Sequence, residues 1–148
     1  MRFTVDADGD IAVELGDGEA AYAEFAAWLK LGVNYSPMRC LDALQMADDV
    51  LTGQSDVETF TAEAHTTTFT RDKVTVRHQF LDRGAVVPLK YAVERIEEWW
   101  GLIAYRAPKA GTTQPYRPDL PFWEAQLVLW EETWERRHPY RGRLGIPE

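Results

Sequence analysis

The sequence predicts an α+β domain in which antiparallel hairpins pack against helices. Three observations carry that expectation. The N-terminal residues alternate apolar and polar side chains on both sides of an Asp-Gly turn. A central stretch is rich in Thr, Val and Phe, residues that favour a pleated, half-buried surface. Two later stretches place large apolar residues at steps of three and four, the spacing of one helix face.

In chain order, Phe3 and Val5 share one face of a first strand, and Ile11, Val13 and Leu15 share a face of the second. Ala7-Asp8-Gly9 lies between them as the turn. The Asp6, Asp8, Asp10 spacing matches the start of a calcium loop. Such a loop needs Gly at its sixth position and Glu at its twelfth, and here Ile11 and Asp17 stand there. The triplet therefore reads as an acidic hairpin turn, and no metal site is expected.

Residues 18–31 read as a helix capped by Asp17 or Gly18, with Tyr22, Phe25, Trp28 and Leu29 on one side and Gly32 at its end. Ser36-Pro37 is a cap followed by a first-turn proline, so a second helix is expected over 37–52, ended by Gly53. Cys40, Leu44, Ala47 and Leu51 form its apolar stripe. Residues 57–81 are strand-like and turn at Arg71-Asp72, which sets Phe69 against Val74, Thr67 against Val76, His65 against His78 and Glu63 against Phe80. Asp82-Arg83-Gly84 stops this hairpin.

Pro88 opens a third helix to Tyr105, with Leu89, Val93, Ile96, Trp100 and Ile103 as its stripe. Residues 106–120 hold three prolines and form a long loop. Pro121 opens a last helix to about Arg137, with Trp123, Leu127, Trp130 and Trp134 in line. A Trp-rich core is expected there, the alternative being aromatic anchors beside an acidic ridge of Glu124, Glu131 and Glu135 for a cationic partner. Residues 138–148 form a basic tail in which His138 is expected to be solvated. The order is ββααββαα over one domain, 1–148, and a single four-stranded sheet built from the two hairpins is expected. Two separate hairpin–helix units are the competing topology.

Charge is strongly polarised. Residues 1–74 carry 14 acidic and 5 basic side chains, whereas 75–148 carry 10 and 11. An acidic field repels nucleic acid and anionic lipid, and it attracts a basic protein. With a single cysteine, Cys40, no internal disulfide is expected. No run of about 18 apolar residues occurs and the N-terminus is not a signal peptide, so a cytoplasmic protein is expected.

No Gly-rich phosphate loop, Gly-x-Ser-x-Gly or His-Glu-x-x-His is present, so no cofactor and no catalytic motif is implied. His65, His78 and Glu63 are the nearest group to an acid–base or zinc site. The tail arginines Arg136, Arg137, Arg141 and Arg143 are expected to pair with acids of the chain or of a second subunit. Trp99, beside the helical stripe, and Tyr116 with Arg117 in the proline-rich loop are expected to be exposed and to serve as interface anchors.

The acidic first half, the strand Lys73–Leu81, the Asp82-Arg83-Gly84 turn and the helix beginning Pro88-Leu-Lys-Tyr-Ala-Val-Glu resemble the small acidic immunity proteins that bacteria keep beside secreted toxins. The resemblance implies a binder that plugs the active site of a basic, nuclease-like toxin. It further implies that Asp42, Asp48, Asp49, Glu97, Glu98, Glu131 and Glu135 present carboxylates in place of substrate phosphates. An adaptor, an inhibitor of phage origin or a subunit of a larger complex is the alternative binder.

Overall fold

The structure is a computed structural model that describes residues 1–108 and 110–148. Lys109, in the expected proline-rich loop, lies outside the described residues. Strands β1 (Arg2–Val5) and β2 (Ile11–Glu14) pair with Val5 opposite Ile11. The turn between them is built as its sequence suggests. Asp6 Oδ1 accepts the N–H groups of Asp8 and Asp10 at 2.9 and 3.0 Å, and Gly9 takes φ +85°. Asp6 is thus spent on closing a turn.

The hairpin does not join the main sheet. Residues 57–88 alone make that sheet, from β3 (Val57–Thr61), β4 (His65–Thr70), β5 (Lys73–His78) and β6 (Gly84–Pro88) in an antiparallel meander. The expected four-stranded sheet exists, but its composition differs. The stretch before Arg71-Asp72 is two strands, and Asp82-Arg83-Gly84 turns the chain into a fourth instead of stopping it. The expected register holds from Phe69–Val74 through His65–His78. The Glu63–Phe80 pair does not form, because Glu63 lies exposed in the bend between β3 and β4.

One sheet face is largely apolar, with Thr67 and His65 as its buried polar members. Phe60, Phe69, Val74, Val76, Ala85 and Val87 point inward and are buried. The other face carries Thr59, Thr61, Thr66, Thr68, Thr70, Thr75 and Arg77, which are exposed or half-buried. Strict alternation of this kind marks a sheet covered on one side only.

Helices cover the inner face. A short 3-10 turn leads into α1 (Ala23–Trp28), which continues as a π-turn over Leu29–Val33. Phe25, Trp28 and Leu29 are fully buried, and Trp28 packs edge-on against Phe60 and Phe69. Gly32 sits against that indole. A Cβ there would lie 2.6 Å from Trp28 Cδ1 and 2.9 Å from its Nε1. Trp28 is held by the sheet and cannot retreat. Gly32→Ala is therefore expected to lower stability by roughly 1–2 kcal/mol, net of the ~1 kcal/mol that alanine gains over glycine in a helix. Urea unfolding checks this, and an unchanged midpoint would show that the indole has room to move.

Helix α2 (Pro37–Thr52) begins as read, with the Ser36 hydroxyl accepting from Arg39 N and Pro37 in the first turn, and it ends at Gly53 with φ +81°. Its buried face is Cys40, Leu41, Ala43, Leu44, Ala47 and Val50. Leu51, expected on the stripe, is half exposed because the contact line drifts to Val50. Helix α3 (Leu89–Ile103) packs on α2 and the sheet, and α4 (Phe122–Trp134) packs on α2.

The C-terminal segment is not a free tail. It folds back, with His138, Tyr140 and Ile146 buried. His138 is thus the reverse of the solvated residue expected. Among the described residues, no helix is long and apolar enough to cross a membrane.

Candidate functional site

The C-terminal segment takes up much of the acidic charge. Arg136 donates both Nη atoms to Asp49, at 2.8 and 3.1 Å. Arg143 reaches Asp48 at 3.0 Å and Glu97 at 3.5 Å, and Tyr140 donates its hydroxyl to Glu97 at 2.8 Å. Arg141 bonds Glu131 through two nitrogens, at 2.5 and 3.1 Å. Of the two outcomes expected for the tail arginines, acids of the chain or of a second subunit, three of them take the first.

It follows that Asp48, Asp49, Glu97 and Glu131, all named as partner-facing carboxylates, already hold cations. Asp49 is 3% exposed. Burial raises its pKa, but the bonds from Arg136 and Gln45 outweigh that and hold the carboxyl below its ordinary range. Burial likewise works against the ionised Glu131, and Arg141 with the His138 N–H outweighs it.

The other named residues are scattered. Glu98 faces solvent 3.6 Å from Arg95 on its own helix. Trp99 is fully buried, which corrects the expectation of an exposed anchor. Its Nε1 donates to Asn34 O at 2.7 Å, and its ring meets Phe3 and Tyr35. Tyr116, expected to be exposed, is half-buried and donates to Glu132 at 2.5 Å, whereas Arg117 is exposed and forks onto Asp119. Glu135 is exposed and ends α4 at φ +50°.

Two named groups do converge on one place, the cleft between α2, α4 and the start of β3. Asp42, Gln45, Met46 and Asp49 line it from one face of α2, and Trp130 and Trp134 line it from successive turns of α4. Glu58, Ser55 and Gln54 close its end, and Arg136 forms part of its wall. The cleft measures about 370 Å³.

Three carboxylates, Asp42, Asp49 and Glu58, thus line the cleft beside a single guanidinium, that of Arg136. Asp42 Oδ1 accepts from Trp130 Nε1 at 2.9 Å, and burial pushes this carboxyl above its ordinary pKa. Glu58 Oε1 accepts from Ser55 Oγ at 3.0 Å and from Gln45 Nε2 at 3.4 Å. Among the described residues, neither Asp42 nor Glu58 makes an ion pair.

Trp134 is 60% exposed, although its spacing from Trp130 places it on the expected core stripe. The helix ends there, which leaves most of the ring in solvent at the edge of the cleft. Sequence reasoning missed Glu58, and for Trp134 it favoured the core over the exposed anchor that the structure shows. The available signal for the tryptophan was its surroundings, Glu131-Glu132 before it and Glu135-Arg136-Arg137 after it, a turn too polar to be buried.

The histidine pair forms, with ring centroids 5.1 Å apart, but its carboxylate is Glu24 of α1, not Glu63. His65 is buried, with Nε2 2.9 Å from Glu24 Oε2. His78 Nδ1 accepts the N–H groups of Phe80 and Leu81, which pins the β5–β6 turn. Among the described residues, no three His, Cys, Asp or Glu side chains are grouped to hold a metal ion.

Comparison of the chain with protein-family models, curated proteins and solved structures finds no match.

Proposed function

We propose that this chain is a cytoplasmic binding module for a basic protein, acting in the manner of an immunity protein that neutralises a nuclease-like toxin. The observation that carries the reading is the cleft between α2 and α4. It combines carboxylates that make no ion pair among the described residues, Asp42 and Glu58, with a largely exposed tryptophan, Trp134. Large aromatic side chains beside acidic ones are the usual chemistry of a surface that anchors and steers a basic partner. The net charge of −8 supplies the long-range attraction. The binding acids in this reading are fewer than the sequence offers. They are Asp42, Glu58 and Glu135, since Asp48, Asp49, Glu97 and Glu131 hold the C-terminal segment.

The test is capture of a partner by the tagged chain from its own cells, at low and high salt, beside an Asp42→Lys, Glu58→Lys variant. The wild-type chain is expected to retain one basic protein, with affinity that falls with salt. The variant is expected to bind it about 100-fold more weakly. The purified partner should show nuclease activity that the chain inhibits. A partner with no basic surface, or capture indifferent to the two substitutions, would overturn the reading. A basic partner without toxic activity would instead favour an adaptor.

A further inference from the structure

We infer that the cleft between α2 and α4 is a receptor for a guanidinium group, so that the basic partner anchors itself there through an arginine side chain. The inference rests on the binding role just proposed and adds to it the chemical class that the cleft selects.

The protein itself shows that these walls accept a guanidinium. Arg136 lies in the wall with its fork on Asp49, at 2.8 and 3.1 Å, and its Cζ 5.8 Å from the centre of the Trp130 ring. That is the paired geometry by which arginine recognises a carboxylate beside an aromatic face. Arg136 does not fill the space, because about 370 Å³ remains open with its side chain in place.

What remains open has the same character as what Arg136 uses. Asp42 and Glu58 supply acceptor oxygens that make no ion pair among the described residues, although Arg39 attracts Asp42 and Arg136 attracts Glu58 from farther away. Trp134, 60% exposed, supplies an indole face. Gln45 bridges the occupied and the open halves, donating to Asp49 at 2.7 Å and reaching Glu58 at 3.4 Å.

An ammonium fits this lining less well. It is a compact, strongly hydrated charge that needs oxygen acceptors around it, and one side of the cleft is carbon. A guanidinium is flat and weakly hydrated, so it can stack on indole while its edge bonds carboxylate.

The experiment titrates the purified chain with arginine amide and with lysine amide at matched ionic strength. Trp130 and Trp134 report through their indole N–H resonances and fluorescence, and Trp130 is directly bonded to Asp42. A saturable change is expected, with arginine amide about tenfold tighter than lysine amide. Asp42→Asn with Glu58→Gln should weaken it about tenfold or more. Trp134→Ala should weaken it several-fold, and its exposure keeps that variant folded if the double substitution does not fold. A response that tracks ionic strength alone, or one equal for both cations and indifferent to the substitutions, would overturn the inference.

The two readings fail separately. If arginine amide binds but capture of the basic partner survives loss of Asp42 and Glu58, the guanidinium site stands and the proposed function falls. If capture needs those acids but neither cation perturbs the indoles, the function stands and the guanidinium site falls.

Discussion

Replacing Trp99 with alanine is expected to lower the stability of the protein by roughly 3–5 kcal/mol. The side chain is fully buried, and three neighbours depend on it. Phe3 of the N-terminal hairpin meets the indole edge-on at 5.3 Å, and Tyr35 stacks at 6.4 Å. The Nε1 donor reaches Asn34 O, at a residue held at φ +54°. Removing the ring therefore opens a large cavity, strands a carbonyl and detaches the hairpin from α3. Trp99→Phe should recover part of the loss, since it restores the ring but not the donor. Urea unfolding gives the magnitude, and near-ultraviolet dichroism reports whether the hairpin stays docked. A loss below about 1 kcal/mol would mean that the indole sits at the surface.

Trp99 also shows where reading the sequence stops. An amphipathic stripe assumes that a helix buries one face. Helix α3 buries two. Leu89, Ala92, Ile96, Trp100 and Ile103 are buried along one stripe, where Trp100 meets Trp123 of α4, while Trp99 is covered from another side by the β1–β2 hairpin and the Asn34–Tyr35 corner. Local periodicity reports the first burial and is blind to the second, which depends on where a hairpin almost 90 residues earlier in the chain comes to rest. Trp134 is the converse case. Its spacing is right for the stripe, but the helix ends beside it and leaves most of the ring in solvent.

Features set by adjacent residues were legible. The Ser36-Pro37 start, the Gly53 stop and the β4–β5 register all follow from residues within a few positions of one another. Strand β6 was hidden because Ala85-Val86-Val87 is short and follows a turn sequence that also reads as a stop. That the tail arginines would pair with acids was legible from charge alone, but not whether those acids lie on the same chain or on a second subunit. Nor was it legible which acids they would find, because Arg136 and Asp49 are brought together only by the packing of α4 on α2. The candidate site shares that limit. Asp42 was visible as an acid and Trp130 as an aromatic residue, but the cleft exists only once both helices and the start of β3 are in place.

Acidification is expected to weaken the fold in two stages, and the first belongs to His138. Its imidazole is 1% exposed, donates Nε2–H to Leu41 O at 2.9 Å, accepts Tyr140 N–H at Nδ1 and packs 4.4 Å from the Trp130 ring. Both nitrogens are committed to the neutral tautomer, and burial pushes the pKa down from 6.5 to about 4, against the nearby Glu131 and Asp48, which raise it. The native state therefore refuses a proton that the unfolded chain accepts. This contribution is fully present above pH 6.5, is lost progressively as the pH falls towards 4, and is gone below that, for a total of roughly 3 kcal/mol. Glu19 follows at lower pH, together with Asp49 and Glu131, whose ion pairs also hold them below their ordinary range. Bonds to Glu19 from the Met1 amine, Tyr91 and Gly16 N hold it near 2, so its contribution is lost only as the pH falls below about 4.5. The two stages separate in urea unfolding midpoints measured from pH 7.5 down to 3. His138→Gln can keep a donor towards Leu41 O and has no proton to gain, so it should be less stable at pH 7.5 but nearly flat between 6.5 and 4. A variant as steep as the wild type in that window would place the first stage on another group. The expected result ties acid lability to the contact that docks the C-terminal segment. That segment also carries Arg136 into the cleft wall, so its partial release near pH 4–5 should loosen the site before the sheet melts.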